Sequence, residues 1–107
     1  MVMQTPENEL RQKIAPYEKY IIINSIEKFI ECVSEATGWN WKPLDITFIG
    51  GEKIARLIAI HRKGDKVYSI IAYYDPEKGE DIGDIPYEGF DVDISSIDEV
   101  EEVIGNV

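Results

Sequence analysis

The chain has 107 residues, 44% of them hydrophobic, and a formal net charge of −10; this is the length of one ordinary domain that can bury a core without staples. Cys32 is the single cysteine, which excludes an internal disulfide and a cysteine-built zinc site. No apolar run reaches the ~20 residues that span a bilayer, and residues 1–7 lack the basic start and apolar stretch of a secretory leader, so a cytoplasmic, reducing location with no membrane is expected.

Charge is unevenly spread. Residues 75–107 hold twelve acidic side chains against Lys78, a net of −11, whereas residues 1–74 hold ten Lys and Arg against nine Asp and Glu, a net of +1. Such a field steers partners more than it determines folds. Eighteen isoleucines, two glutamines and abundant Glu and Lys give a thermophile-like composition.

Thr5 followed by Pro6 reads as an N-cap and first helical position, and Leu10 with Ile14 form one helical step, so a short helix over about 6–15 is predicted. Tyr20 to Ile23 reads either as a short buried strand or as the first turn of the next helix, and its β-branched residues favour the strand. Ile26, Phe29, Ile30, Val33 and Ala36 recur at helical spacing, Asn24 and Glu27 have capping-box spacing, and Gly38 follows as a C′ residue, predicting the long helix. Asp45 to Ile49 is a further strand, ended by Gly50-Gly51.

Lys53–Arg62 and Lys66–Tyr74 are β-branched and aromatic runs joined through Gly64-Asp65, a type II′ hairpin signature. The regular register sets Lys63 against Lys66 and places His61/Tyr68, Ala59/Ile70, Leu57/Ala72 and Ala55/Tyr74 on one face. That face carries three alanines, so the long helix is expected on it. Residues 75–89 read as a long loop rich in Gly and Pro. Phe90 to Ile94 then alternates apolar and acidic residues, the pattern of a half-exposed strand. Ser96 and Glu99 open a C-terminal helix with capping-box spacing. The fold expected is α+β: an antiparallel sheet of three to five strands around the central hairpin, packed by one long helix and a C-terminal helix, as one domain over residues 1–107 with an acidic loop, strand and helix segment at 75–107.

No motif brings a specific chemistry. Cys32, beside Phe29 and Val33, has the position of a buried inert thiol, and His61 lies near the hairpin tip, so a Cys–His pair lacks an orienting third group. No catalytic residue and no cofactor are assigned. Trp39 and Trp41 are expected to close one end of the core. The leading reading is a small binding or accessory protein whose anionic C-terminal third docks a protein with a basic surface, such as the nucleic-acid-binding groove of a nucleic-acid-handling protein. Asp81, Asp84, Glu88, Asp91 and Asp93 would supply the field and Tyr87 and Phe90 the apolar anchors.

A second reading is a divalent-metal enzyme or metal-binding protein using Asp75, Glu77, Glu80, Asp81 and Asp84, whose clustered oxygens suit hard cations but fail the EF-hand spacing at both the glycine and the final glutamate. A third is nucleic-acid binding through the basic hairpin residues Lys53, Arg56, Arg62, Lys63 and Lys66. Meeting of basic hairpin and acidic segment between copies would give a homo-oligomer.

Overall fold

The computed structural model describes residues 5–78 and 86–99. Among these residues, three α-helices and, after them, a four-stranded antiparallel sheet whose strands neighbour one another in chain order form an α+β fold. The chain opens with α1 (Pro6–Ile14), a 3₁₀ turn (Ala15–Tyr17), α2 (Glu18–Ile22) and α3 (Ile26–Thr37). The sheet follows as β1 (Lys42–Gly50), β2 (Lys53–Lys63), β3 (Lys66–Tyr74) and β4 (Tyr87–Ser96), with a 3₁₀ turn (Pro76–Lys78) after β3.

The Thr5 hydroxyl accepts the Asn8 N–H at 3.2 Å, so α1 starts where its sequence cap places it. Acidic Glu7 and Glu9 in the first turn and basic Arg11 and Lys13 in the last complement the helix dipole. Pro16 does not end helical structure, because the 3₁₀ turn absorbs it and the chain re-enters a helix as α2. The expected strand at Tyr20–Ile23 is therefore a helix: Ile21 is the buried residue of that turn, while Ile22 and Ile23 stay exposed. β-branching favours strands only where a pleated neighbour is at hand, and none pairs with this segment.

The capping box expected at Asn24 and Glu27 is not formed. Asn24 sits at φ 57° and its side-chain oxygen accepts from Arg56 Nη1 at 2.8 Å, leaving Ser25 as an N-cap without a side-chain bond. At the other end Gly38 terminates α3, donating its N–H to Ser34 O at 2.9 Å.

Both β1–β2 and β2–β3 are closed by two-residue turns whose first position is glycine at positive φ, Gly51 at 64° and Gly64 at 63°. Neither Glu52 nor Asp65 shares that sign, which is the II′ pattern. The tip register is as expected from Lys63↔Lys66 to Ala59↔Ile70. A bulge between Leu57 and Ala59 then shifts every later pair, to Leu57↔Ile71, Arg56↔Ala72 and Ala55↔Tyr73. Ile58 and Ala59 consequently both enter the helix-side core, and Ala55 and Leu57 pass to the opposite face. Two of the three alanines, Ala59 and Ala72, do lie beneath the helices.

The main core joins Leu10 and Ile14 of α1, Ile21 of α2 and Phe29 and Val33 of α3 to Ile58, Ala59, Ile70, Ala72, Tyr74 and Val92 of the sheet. A smaller cluster on the other face unites Leu57, Ile60 and Val67 with Leu44, Ile46, Ile71 and Ile97. The loop expected to run to Gly89 ends at Pro86, since Tyr87 already pairs with Tyr74 and Asp75 N–H binds Pro86 O at 2.8 Å. Ile97–Glu99 are helical, with Glu99 N–H on Ser96 Oγ at 3.4 Å. The remainder of the predicted C-terminal helix lies outside the described residues.

Candidate functional site

Alternation along β4 is broken by a bulge at Tyr73/Tyr74, which leaves Glu88 as the extra residue between Tyr87 and Gly89. Without the bulge, Tyr87 and Phe90 would face opposite ways; with it, both turn toward the helices and pack against the main core. Tyr87 O–H donates to Glu18 Oε2 at 2.7 Å and its ring meets Tyr74 edge-on at 5.7 Å. Burial, then that bond, raise the Tyr87 hydroxyl far above 10.0. Both aromatics that the sequence offers as docking anchors are thus part of the interior packing.

The acidic residues divide. Glu88 receives Lys53 Nζ on both carboxylate oxygens at 2.9 Å, and the same ammonium is raised chiefly by this bond. Asp91 accepts its neighbour Val92's N–H at 2.8 Å and lies 3.4 Å from Arg11 Nε. Asp93 is exposed and enters no ion pair among the described residues. Asp81 and Asp84 lie outside the described residues.

Of the metal candidates, Glu80, Asp81 and Asp84 likewise lie outside them. Asp75 is buried, with Oδ1 accepting Glu77 N–H at 3.0 Å and Oδ2 3.9 Å from Lys53 Nζ; it caps its own turn. Among the described residues no three metal-ligating side chains gather.

Asp91 and Asp93 sit on the sheet face opposite the main core, where Ile97 packs on the smaller cluster and Leu57, Ile60, Val67 and Ser69 are buried. There the register aligns cross-strand rows: Phe48, Ala55, Tyr73 and Gly89; then Ile46, Leu57, Ile71 and Asp91; then Ile60, Ser69 and Asp93. In the first row Phe48 is 42% exposed and Tyr73 36%, and the small residues Ala55 and Gly89 leave a trough beside each ring. Burial and then the charges of Asp91 and Asp93 raise the Tyr73 hydroxyl, so the ring and the carboxylates share one local field. This is an apolar surface rimmed by acid along an edge strand. The regular register already leaves Ile71 and Tyr73 opposite the alanine face, whereas Ala55 and Leu57 join them only because of the bulge at Ile58.

The basic hairpin separates into two ends. Lys53 is held by Glu88, and Arg56 by Asp45, Nε to Oδ1 at 2.8 Å, and by Asn24; the Asp45 bond is the main reason the guanidinium is raised, against its burial. Arg62, Lys63 and Lys66 lie at the tip, roughly 20 Å from Arg56 and roughly 30 Å from Lys53 at the rise of an extended strand, and have no acidic ion-pair partner among the described residues.

Trp39, half-buried, stacks on His61 at 4.4 Å and 20° and meets Tyr68 edge-on at 4.8 Å, with Lys63 Nζ 5.2 Å from its ring centroid. Both tryptophans close this end of the core as expected, Trp39 packing on it half-buried and Trp41 within it at 2% exposed, with its Nε1 donating to Thr37 Oγ1 at 3.0 Å. Cys32 is a partly exposed free thiol on α3, and the described contacts of His61 are the rings of Trp39, Trp41 and Tyr68 and the Asn40 carbonyl at 3.1 Å.

Comparison with protein-family models, curated proteins and solved structures finds no match. Among the described residues no helix is long and apolar enough to cross a membrane.

Proposed function

We propose that the protein is a small binding protein whose exposed Phe48, Ala55 and Tyr73 row, on the sheet face opposite the main core, docks a cationic, amphipathic segment of a partner protein. The observation that carries this reading is the row of Phe48, Ala55 and Tyr73, two exposed aromatics over a small residue, with Asp91 and Asp93 on the adjoining strand of the same face. Apolar side chains of the partner would enter beside the rings, and its Lys and Arg would meet the carboxylates, which set orientation and association rate more than affinity. A basic partner is favoured over a neutral one because the chain's net charge of −10 attracts it before contact.

The test is nuclear magnetic resonance titration of the ¹⁵N-labelled protein with an amphipathic Lys/Leu helical peptide and with the same peptide scrambled. Amide shifts concentrated on Phe48, Ala55, Ile71, Tyr73 and Asp91, weakened by salt and lost in Tyr73→Ser and in the double variant Asp91→Lys/Asp93→Lys, are the expected result. Shifts confined to another surface, or equal binding of the scrambled peptide, would refute the proposal. Concentration-dependent shifts on this face without peptide would assign it to a second copy of the chain instead.

A further inference from the structure

The tip end of the sheet, remote from that face's aromatic row, carries a second surface of opposite character. β1 begins at Lys42, opposite Ile60, so residues 61–63 of β2 run past the edge of their neighbour. Two cavities open there. One, of about 230 Å³, is lined by Trp39, Tyr68, Lys13 and Lys63, with Leu10 and Thr37 beneath. The other, of about 330 Å³, is lined by His61, Asn40, Lys42, Ile60 and Arg62. Trp39 borders the first and His61 the second, and these two rings are the stacked pair, so the stack is the wall between the cavities. Each cavity therefore combines one ring of the stack with two cations.

This composition fits an unpaired nucleobase beside a phosphate. Every base has a π-face, so stacking on an aromatic side chain adds affinity whatever the sequence. Lys63 over Trp39 is an exposed cation–π contact, weaker than the stacking that would replace it. Its displaced ammonium would be free to meet the phosphate. The carboxylates that oppose an anion here are Glu9 in the first cavity, Asp65 in the turn, and Asp98 and Glu99, which the Ile97 N–H to Asp65 O bond of 2.9 Å brings to the turn. Lys66, opposite Ser96, is the cation closest to them in the register and is left out of the site. Glu7, next to Pro6 on α1, and Glu35, two residues before Thr37 on α3, belong to the helix ends that border the first cavity and oppose an anion as well, whereas Asp75 and Glu88 lie at the far end of the sheet beside Lys53.

We infer that this tip binds single-stranded nucleic acid, seating two successive bases against Trp39 and His61 while Lys13, Lys63, Lys42 and Arg62 take the flanking phosphates. Duplex is disfavoured because its bases are already stacked on each other. Fluorescence anisotropy with labelled twelve-nucleotide oligo-dT and oligo-U, between 50 and 300 mM salt, tests it. Four phosphate contacts to a single strand predict a log–log salt slope of about −3. Trp39→Ala and His61→Ala should each weaken binding about tenfold, Trp39→Phe should retain most of it, and Arg62→Glu/Lys63→Glu should abolish it. Lys53→Glu, at the other end, should leave it unchanged. Trp39 also packs on the core, so the exposed double variant decides if Trp39→Ala fails to fold. Absence of binding at 50 mM salt would overturn the inference, as would heparin or duplex competing equally while Trp39→Phe, His61→Ala and wild type bind alike, which would reduce the tip to a plain polyanion patch.

Discussion

Tyr87 shows how one side chain ties the edge strand to the helical layer. Its hydroxyl donates to Glu18 across 69 residues of sequence, and bonds to charged acceptors contribute more than neutral ones. Tyr87→Phe should lower stability at pH 7 by about 1 kcal/mol, the partly solvated site reducing the usual value. The pH dependence has a definite sign. The folded-state hydroxyl lies above its ordinary value of 10.0, so its contribution is complete below pH 10 and declines above it, where the unfolded chain releases a proton that the folded chain retains. Urea unfolding of both proteins at pH 7 and pH 11 should therefore show the wild-type advantage shrinking with pH. An advantage that grows would mean that Glu18 does not hold the protonated form. Tyr73, raised by burial and by Asp91 and Asp93, should titrate at lower pH once those two carboxylates are replaced by asparagine.

At the scale of elements, local chemistry was legible and irregularity was not. Thr5-Pro6, Gly38 and Gly64-Asp65 each act through their own backbone, so α1, the end of α3 and the central turn could be read directly. Tyr20–Ile23 could not, because strand and helix differ there only in which neighbours pack. The bulges at Ile58 and Glu88 are single extra residues without a sequence mark, yet each reverses the faces of everything beyond it. Each moved residues the sequence had placed: the first sent Ala55 and Leu57 to the face opposite the main core, and the second turned Tyr87 to the same side as Phe90, against the core. The segments 23–27 and 94–98 look alike in sequence, but one joins two helices and the other ends a strand, and Ser96 accepts the Glu99 N–H where Ser25 makes no side-chain cap bond, so the likeness is not carried into structure. Ala55→Lys tests the bulged register. On the face opposite the main core, beside Phe48 and Tyr73, a lysine can extend into water and should cost less than about 1 kcal/mol. In the unbulged register it would sit beneath the helices and cost several, as Ala59→Lys should. Chemical denaturation of the two variants distinguishes them, and similar large losses would place Ala55 in the main core. A tolerated Ala55→Lys should also abolish docking of a cationic peptide, since it puts a like charge in the trough.

For the whole molecule, the question is whether attraction or repulsion between charges dominates stability. The described ion pairs, Arg11–Asp91, Lys53 with Glu88 and Asp75, and Arg56–Asp45, each have at least one exposed partner, and pairs open to solvent contribute about 0–1 kcal/mol each. Against them stands a net charge of −10 on a body of 43 × 32 × 32 Å, whose like charges repel whenever the screening length approaches its dimensions. That length is about 30 Å at 0.01 M salt and 10 Å at 0.1 M, so repulsion extends across the molecule in the first case and only between neighbours in the second. Salt therefore removes the long-range repulsion before it weakens the short ion pairs. Calorimetry in sodium chloride from 10 to 300 mM should show Tm rising by several degrees, since about 1 kcal/mol corresponds to 4–8 °C for a domain near this size. A falling Tm would instead mean that the ion pairs outweigh the repulsion. Arg62→Glu/Lys63→Glu takes the net charge from −10 to −14 without touching a described ion pair, so its Tm should start lower at 10 mM and climb more steeply. The tip cations would then stabilise the fold by offsetting the acidic edge, in addition to any ligand they hold.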